Sequence, residues 1–475
     1  MGYAIVFVKN HVPTLHEHAN KHYLCNKFQS IMTSLTLAIV IAFILGYLCI
    51  AFESGLKINK AAIAILMCVA TWTLFMLDPG SYISGVADAQ LPQRVSEILK
   101  HHLGETCETL FFLMGAMTIV EIVDKNGGFN FVRDMMATTS KRKLLWRLAF
   151  MTFILSAILD NLTTSIVMIM VLRKLVSDRN DRLIYASLII ISANSGGAFS
   201  PIGDVTTIML WIKGMITTQG VIKEIFIPSL VSMVIPALIL QYYLKGELAV
   251  VKEKGKQETA DVFSKRQRNL IFIFGVGGLM FVPVFRYLTD LPPFMGILLV
   301  LGVLWTVTEI FHRKVKTKDG LSKRVTNLLR NIDMATILFF LGILMAVSCL
   351  EEVGVLTALG EGLDHVSGGN HYLVTGVIGV LSSIVDNVPL VAGCMGMYPI
   401  AEVGDLAVDG IFWQLLAYCA GVGGSMLIIG SAAGVVVMGL EKITFGWYMR
   451  RITWIVFVGY LAGMFSYWLI RTFLF

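Results

Sequence analysis

Three aspartates stand where a membrane-spanning chain has little room for charge. Asp160 lies in ILSAILDNLTTSIVMIMVL (154–172), Asp204 in SANSGGAFSPIGDVTT (192–207) and Asp386 in VIGVLSSIVDNVPLVAGCMGM (377–397); none of these stretches contains a Lys or Arg. A carboxylate inside a bilayer is costly and is by default a functional residue. A proton removes its charge, and so does a hard cation such as sodium, which prefers oxygen ligands. One site obliged to hold either would exchange the two across a membrane. Asn161, Thr163, Thr164, Asn194, Ser195, Thr206 and Thr207 supply oxygens beside Asp160 and Asp204, a set suited to Na+ or Li+. Ser156 stands four residues before Asp160, on the same face of a helix. A plainer role competes with this one, since an Asp-Asn pair also caps the N-terminus of a half-helix.

Such residues need elements that hold them at membrane depth. Each DN segment has loops of like charge at its two ends, which suits a helical hairpin that enters and leaves on one side. Its tips would be Asp160-Asn161 and Asp386-Asn387, with Pro389 favouring a break. A second device follows each hairpin: SANSGGAFSPIGDVTT and AGVGGSMLIIGSAAG (420–434) interrupt apolar stretches with glycine and small polar residues. Unwound backbone at the midplane is tolerated where it lines a cavity, and there half-helix ends can coordinate ions.

The two devices recur because the chain is duplicated. A shift of about 227 residues lays Gly115 on Gly342, Gly127 on Gly354, and Gly196, Gly197 and Gly203 on Gly423, Gly424 and Gly430; SAILDN (156–161) falls on SSIVDN (382–387). The second copy offers Asp386, Asn387, Ser382, Ser425 and Ser431 as its own site residues. Asp204 is the more specific signal, because its counterpart is the neutral Ser431. The loops flanking the first DN (124–147 and 173–182) hold ten Lys and Arg, whereas those flanking the second (351–371 and 399–411) hold none. The positive-inside rule then turns the copies in opposite directions.

Composition sets the class. The 475 residues are 56% hydrophobic and 15% charged, too apolar for a soluble core. The apolar blocks Ile31–Phe52, Ala61–Leu77, Ile225–Leu244, Phe294–Phe311 and Ile452–Phe475 have the length that crosses a bilayer. The reading is an all-α polytopic membrane protein with two inverted repeats, ten crossings and both termini outside. Stretches 92–103 and 323–331 mix charge with apolar residues and read as interfacial helices. The net charge of +6 belongs to inner loops, and no stripe of basic and aromatic residues suggests nucleic acid. The seven cysteines form no C-x-x-C pair, so neither a disulfide framework nor a cofactor is expected.

LDNLTTSIVM (159–168), SANSGGAFSPIGDVTTIMLW (192–211) and SSIVDNVPLVAG (382–393) carry a family resemblance that runs from IAFESGLKINKAAIA (50–64) to the C-terminus. The chain resembles the NhaD-type sodium/proton antiporters, in the ion transporter superfamily that also holds arsenite pumps and sodium-coupled carboxylate carriers. The resemblance implies a homodimer, a scaffold domain and a transport domain that moves like an elevator. It also implies a bacterial inner-membrane location and a part in pH homeostasis and salt tolerance. It assigns function to Asp160, Asn161, Asn194, Asp204, Thr206, Thr207, Ser156, Ser382 and Asn387. On this plan, residues 1–30 are a polar extension, 31–106 scaffold spans with an interfacial helix, and 107–218 the first repeat (hairpin 148–172, broken helix 183–212). Residues 219–333 are connecting scaffold spans, 334–440 the second repeat (hairpin 371–398, broken helix 412–440), and 441–475 a last span. The His-containing extension has no counterpart in the family.

Two other functions compete. An arsenite or carboxylate carrier of the same fold would want a neutral or positive pocket, and carboxylate carriers hold Ser-Asn-Thr at their hairpin tips; this chain has Asp-Asn-Leu-Thr and Asp-Asn-Val-Pro. An intramembrane aspartyl protease would need Asp160 and Asp386 to share a proton at close range and gives the glycine-interrupted repeats no purpose. The chain reads as a transporter, not an enzyme.

Overall fold

An apolar run in a bilayer must satisfy its backbone internally, which makes helix its default. The computed structural model describes residues 33–51, 57–83, 85–129, 132, 135–136, 138–248, 263–313 and 324–473; the 1–30 extension lies outside them. Every named element among these is helical. Among the described residues, seven helices are long and apolar enough to cross a membrane, and the interrupted elements supply shorter ones.

In chain order, α1 (Ser34–Ala51) and α2 (Lys60–Leu77) precede α3 (Leu91–Lys125). A helix pair follows, α4 (Lys141–Leu159) and α5 (Asn161–Leu175), and then an interrupted helix, α6 (Arg179–Ala198) and α7 (Val205–Ile212). The membrane-length helices α8 (Thr218–Leu240), α9 (Lys265–Thr289) and α10 (Pro293–His312) lead to a single turn at Val325–Leu328 and to α11 (Met334–Glu352). After α12 (Val355–Ser367), the pattern of pair and interrupted helix returns. Here α13 (His371–Leu381) and α14 (Asn387–Met397) form the pair, and α15 (Ile411–Gly423) and α16 (Ala432–Glu441) the interrupted helix. Short α17 (Phe445–Arg451) and long α18 (Thr453–Phe473) finish the chain.

Stretch 92–103 is not a separate interfacial helix. It forms the first turns of α3, which runs unbroken from Leu91 with Pro92 in its first turn, where a missing N–H costs nothing. The helix that leads to the first DN begins at Lys141, ahead of the 148 expected for the hairpin, because Ser140 accepts from the Lys143 amide and caps it there. Asp178 likewise starts α6 before the expected 183.

The centre of the protein is α6 and α15. Every residue from Tyr185 to Ala198 and from Phe412 to Gly423 is buried, as expected of helices surrounded by other helices. On the rim, α9 and α10 expose Ile273, Met280, Leu288, Leu299 and Ile310, a surface suited to lipid.

The two pair-and-break units repeat their contacts. Ser156 Oγ donates to Ala193 O at 2.6 Å and Ser382 Oγ to Ala420 O at 2.8 Å, each tying a hairpin to the helix behind it. Only glycine allows so close an approach: a Cβ on Gly196 would sit 2.2 Å from Phe153 O, and one on Gly423 2.1 Å from Gly379 O. Between units, the buried Glu441 carboxylate accepts from Arg173 Nε and Arg182 Nε, both at 2.6 Å, which joins the end of α16 to α5 and α6. At the other end, Asp409 accepts from Thr217 N at 2.7 Å and holds the start of α8.

Candidate functional site

All four breaks end in the same way, with a side chain capping the half-helix that follows. Asp160 accepts from Thr163 N at 2.8 Å at the start of α5, and Asp204 from Thr206 N at 3.0 Å at the start of α7. Asp386 accepts from Val388 N at 3.3 Å at the start of α14, and Ser431 from Gly434 N at 3.1 Å at the start of α16. Each cap satisfies an orphan donor of the helix N-terminus, and an ionised aspartate, unlike Ser431, also offsets its partial positive charge. Pro389 falls in the first turn of α14, where proline is tolerated.

At one of these caps the two units meet. Asp204 is 1% exposed. Its Oδ1 takes Thr206 N and Thr206 Oγ1, each at 3.0 Å. Asn161 Nδ2, from the first hairpin tip, donates to Oδ2 at 2.5 Å, and Asn387 Nδ2, from the second tip, reaches both oxygens at 3.3 Å. Asn161 Nδ2 also donates to Asn194 Oδ1 at 3.1 Å. The Asn194 amide nitrogen then crosses to Ser425 Oγ at 2.8 Å and Ser431 Oγ at 2.9 Å. Asn161, Asn194, Asp204, Thr206, Asn387, Ser425 and Ser431 are therefore one hydrogen-bonded cluster. Asn387, Ser425 and Ser431, expected to serve a site of their own, face the same carboxylate network.

Every partner of Asp204 in this cluster is an amide or a hydroxyl. The side chains among them donate to a bare carboxylate through N–H or O–H and also carry an oxygen with free lone pairs. The same shell can thus surround an ionised Asp204, a protonated one, or a cation held by oxygens.

Asp160 stands next to Asn161 and within electrostatic reach of Asp204. Both its oxygens are engaged by Thr163, at Oδ1 by the amide and at Oδ2 by Oγ1, each at 2.8 Å. Its backbone has φ 88° and ψ 157°, a region nearly confined to glycine, whose cost of about 1–3 kcal/mol is characteristic of functional positions. Thr164 Oγ1 is buried without a hydrogen-bond partner among the described residues.

The remaining expected residues lie outside the cluster. Ser156 and Ser382 brace the hairpins. Ser195 accepts from Ser232 Oγ of α8 at 3.0 Å, and Thr207 closes the capping box on the Asp204 backbone. Asp386 turns to Lys60 of α2, with Nζ to Oδ2 at 3.1 Å.

Sequence reasoning missed Lys60 and Tyr448, whose buried Oη donates to Ser425 O at 2.8 Å and fixes the second break. A lysine opening an apolar span is the signal that could have led to Lys60; nothing in the sequence singles out Tyr448. Beyond the far end of α7 a cavity of about 160 Å³ is lined by His102, Glu105, Lys213 and Glu351. Lys213 Nζ is 2.5 Å from Glu105 Oε2 there.

The chain resembles known proteins in sequence and in fold. The family described as citrate transporter (CitMHS) matches residues 47–417. Sodium/proton antiporter 1 of Arabidopsis thaliana is 45% identical over 90% of this chain and 72% of its own length. The Na(+)/H(+) antiporter NhaD of Alkalimonas amylolytica is 30% identical over 89% of this chain and 88% of its own. The crystal structure of the YdaH transporter of Alcanivorax borkumensis superposes with a TM-score of 0.59 at 11% identity, covering 88% of this chain and 99% of that one, a likeness of fold.

Proposed function

Because the chain belongs to the citrate-transporter (CitMHS) family and, within it, to the NhaD-type sodium/proton antiporters, we propose that it exchanges Na+ or Li+ for H+ by letting cation and proton compete for buried aspartates. It is a multi-pass membrane transporter and not an enzyme. The observation that carries the exchange reading is Asp204: a buried carboxylate ringed by neutral amides and hydroxyls from two hairpin tips and a helix break. Proton and sodium each neutralise that carboxylate, and holding one excludes the other. Asp160, next to the Asn161 donor and in electrostatic reach, is the second carboxylate of the first half.

The recurring contacts of the two pair-and-break units support inverted repeats. On this reading the hairpins and broken helices form a transport domain that moves as an elevator against a scaffold of α1, α2, the start of α3 and α8–α10, in a homodimer. Relatives come from a plant and from bacteria. A bacterial inner membrane, with a part in pH homeostasis and salt tolerance, is the placement carried over from the resemblance to the NhaD-type antiporters. The competing anion carrier has less behind it, since the lysine that reaches the edge of the site, Lys60, is held by Asp386.

The test uses everted vesicles from cells without other antiporters, their interior acidified and reported by a fluorescent amine. Adding NaCl or LiCl should collapse the pH gradient with the intact protein and leave it standing with Asp204→Asn. An intact, well-expressed protein that ignores sodium and lithium would refute exchange and favour the anion reading.

A further inference from the structure

Asp386 is the one of the three expected aspartates that the structure pairs with a lysine, and the pair joins different parts of the fold. Lys60 is the first residue of α2, which packs on α1 and α11. Its Nζ lies 3.1 Å from Asp386 Oδ2 at the second hairpin tip and 4.2 Å from the centre of the Phe339 ring of α11. The buried Tyr47 hydroxyl of α1, without a hydrogen-bond partner among the described residues, and Asp204 are both within electrostatic reach of Asp386. The next residue, Asn387, donates to Asp204. A fixed ammonium therefore stands one residue away from a ligand of the candidate cation site. The Lys60 side chain is 29% exposed and that of Asp386 19%, so the pair is not sealed in the core.

We propose that Lys60 is a positioning residue that acts as a built-in counter-ion: it neutralises Asp386, keeps the second hairpin tip against α2 and α11, and weakens the hold on the transported cation so that the cation can leave. The inference rests on Asp204 being the cation site and adds a residue that sets its affinity. Two charges face each other here, so removing either one has an opposite electrostatic effect. Lys60→Met leaves Asp386 uncompensated and makes the site more attractive to a cation. Asp386→Asn removes that negative charge from beside the ammonium and makes the site less attractive to a cation. Losing one charge of a pair adjacent to a ligand of the site should change cation affinity by about tenfold.

The experiment measures Na+ KM and maximal velocity in everted vesicles at fixed pH for intact protein, Lys60→Met, Lys60→Arg, Asp386→Asn and the Lys60→Met/Asp386→Asn double variant. Velocities are scaled to the folded fraction from fluorescence-detected gel filtration. We expect KM to fall about tenfold with slowed turnover in Lys60→Met, to rise about tenfold in Asp386→Asn, and to return close to the intact value in the double variant and in Lys60→Arg. A merely structural pair would move both single variants the same way or change velocity alone, and that result overturns the proposal. If a single variant does not fold, the double variant and Lys60→Arg carry the test: an altered KM in either one overturns it. An intact protein that shows no sodium response refutes the exchange reading itself. Sodium exchange with KM values that ignore Lys60 refutes only the counter-ion.

Discussion

Replacing Gly196 by alanine asks how tightly the cation site depends on backbone packing. The added Cβ would lie 2.2 Å from Phe153 O, whereas a close carbon–oxygen contact needs about 3.3 Å, so α4 and α6 must separate by roughly 1 Å. The Ser156 Oγ to Ala193 O bond, now 2.6 Å, would stretch past the hydrogen-bond limit. An unmade buried bond costs about 1–3 kcal/mol and overpacking about 1–3 kcal/mol more. Alanine's better helix propensity returns only about 1 kcal/mol. The same displacement separates Asn194, on α6, from Asn161, at the hairpin tip, and a 1 Å error in a reacting constellation costs about a hundredfold in rate. Sodium-dependent exchange per folded molecule should therefore fall about a hundredfold and the melting temperature in detergent should drop. Gly302→Ala is the control, since nothing lies within 4 Å of a Cβ added there. If Gly196→Ala matches Gly302→Ala within about twofold in rate and melts at the same temperature, the packing argument is wrong.

Two further outcomes follow from contacts already described. Glu441→Gln leaves Arg173 and Arg182 without their shared carboxylate; because both guanidiniums keep some access to water, the loss should lie near the low end of the range for a broken buried pair, about 3 kcal/mol, and thermal unfolding in detergent checks it. Sodium in about hundredfold excess over its dissociation constant should stabilise the purified protein by about 2.7 kcal/mol, read as a melting shift over choline chloride. That shift should vanish in Asp204→Asn, and a shift surviving there would move the cation away from Asp204.

The breaks were legible because they violate the pattern around them. A polar DN pair or SPIGD in an otherwise apolar stretch has no packing reason to exist, and the structure ends helices at Leu159 and Ala198 and restarts them at Asn161 and Val205. What the sequence hides is partnership across long separations. Asn387 meets Asp204, and Asn194 meets Ser425 and Ser431, through folding that no local spacing reveals. Lys60 finds Asp386 in the same way. Ser195 shows a different limit. By type and position it looks like a neighbour of Asn194, but successive helical residues point about 100° apart, and it faces Ser232 instead. Stretch 92–103 misled because mixed charge at helical spacing describes equally an interfacial helix and the wet end of a long one such as α3.

The cluster around Asp204 also bears on how the protein is made. Its contributors run from Asn161 to Ser431, so the ribosome must add roughly 270 residues after the first before the last emerges, which at 5–20 residues per second takes about a quarter of a minute to nearly a minute. For most of that interval Asp204 has been synthesised while Ser431 has not, and for much of it Asn387 and Ser425 are missing as well. The nascent chain must keep an incompletely solvated carboxylate in the insertion machinery or at a wet edge until its last partners arrive. Chains truncated before Ser431 therefore hold an unfinished polar centre in the bilayer, the kind of defect that membrane quality-control proteases recognise.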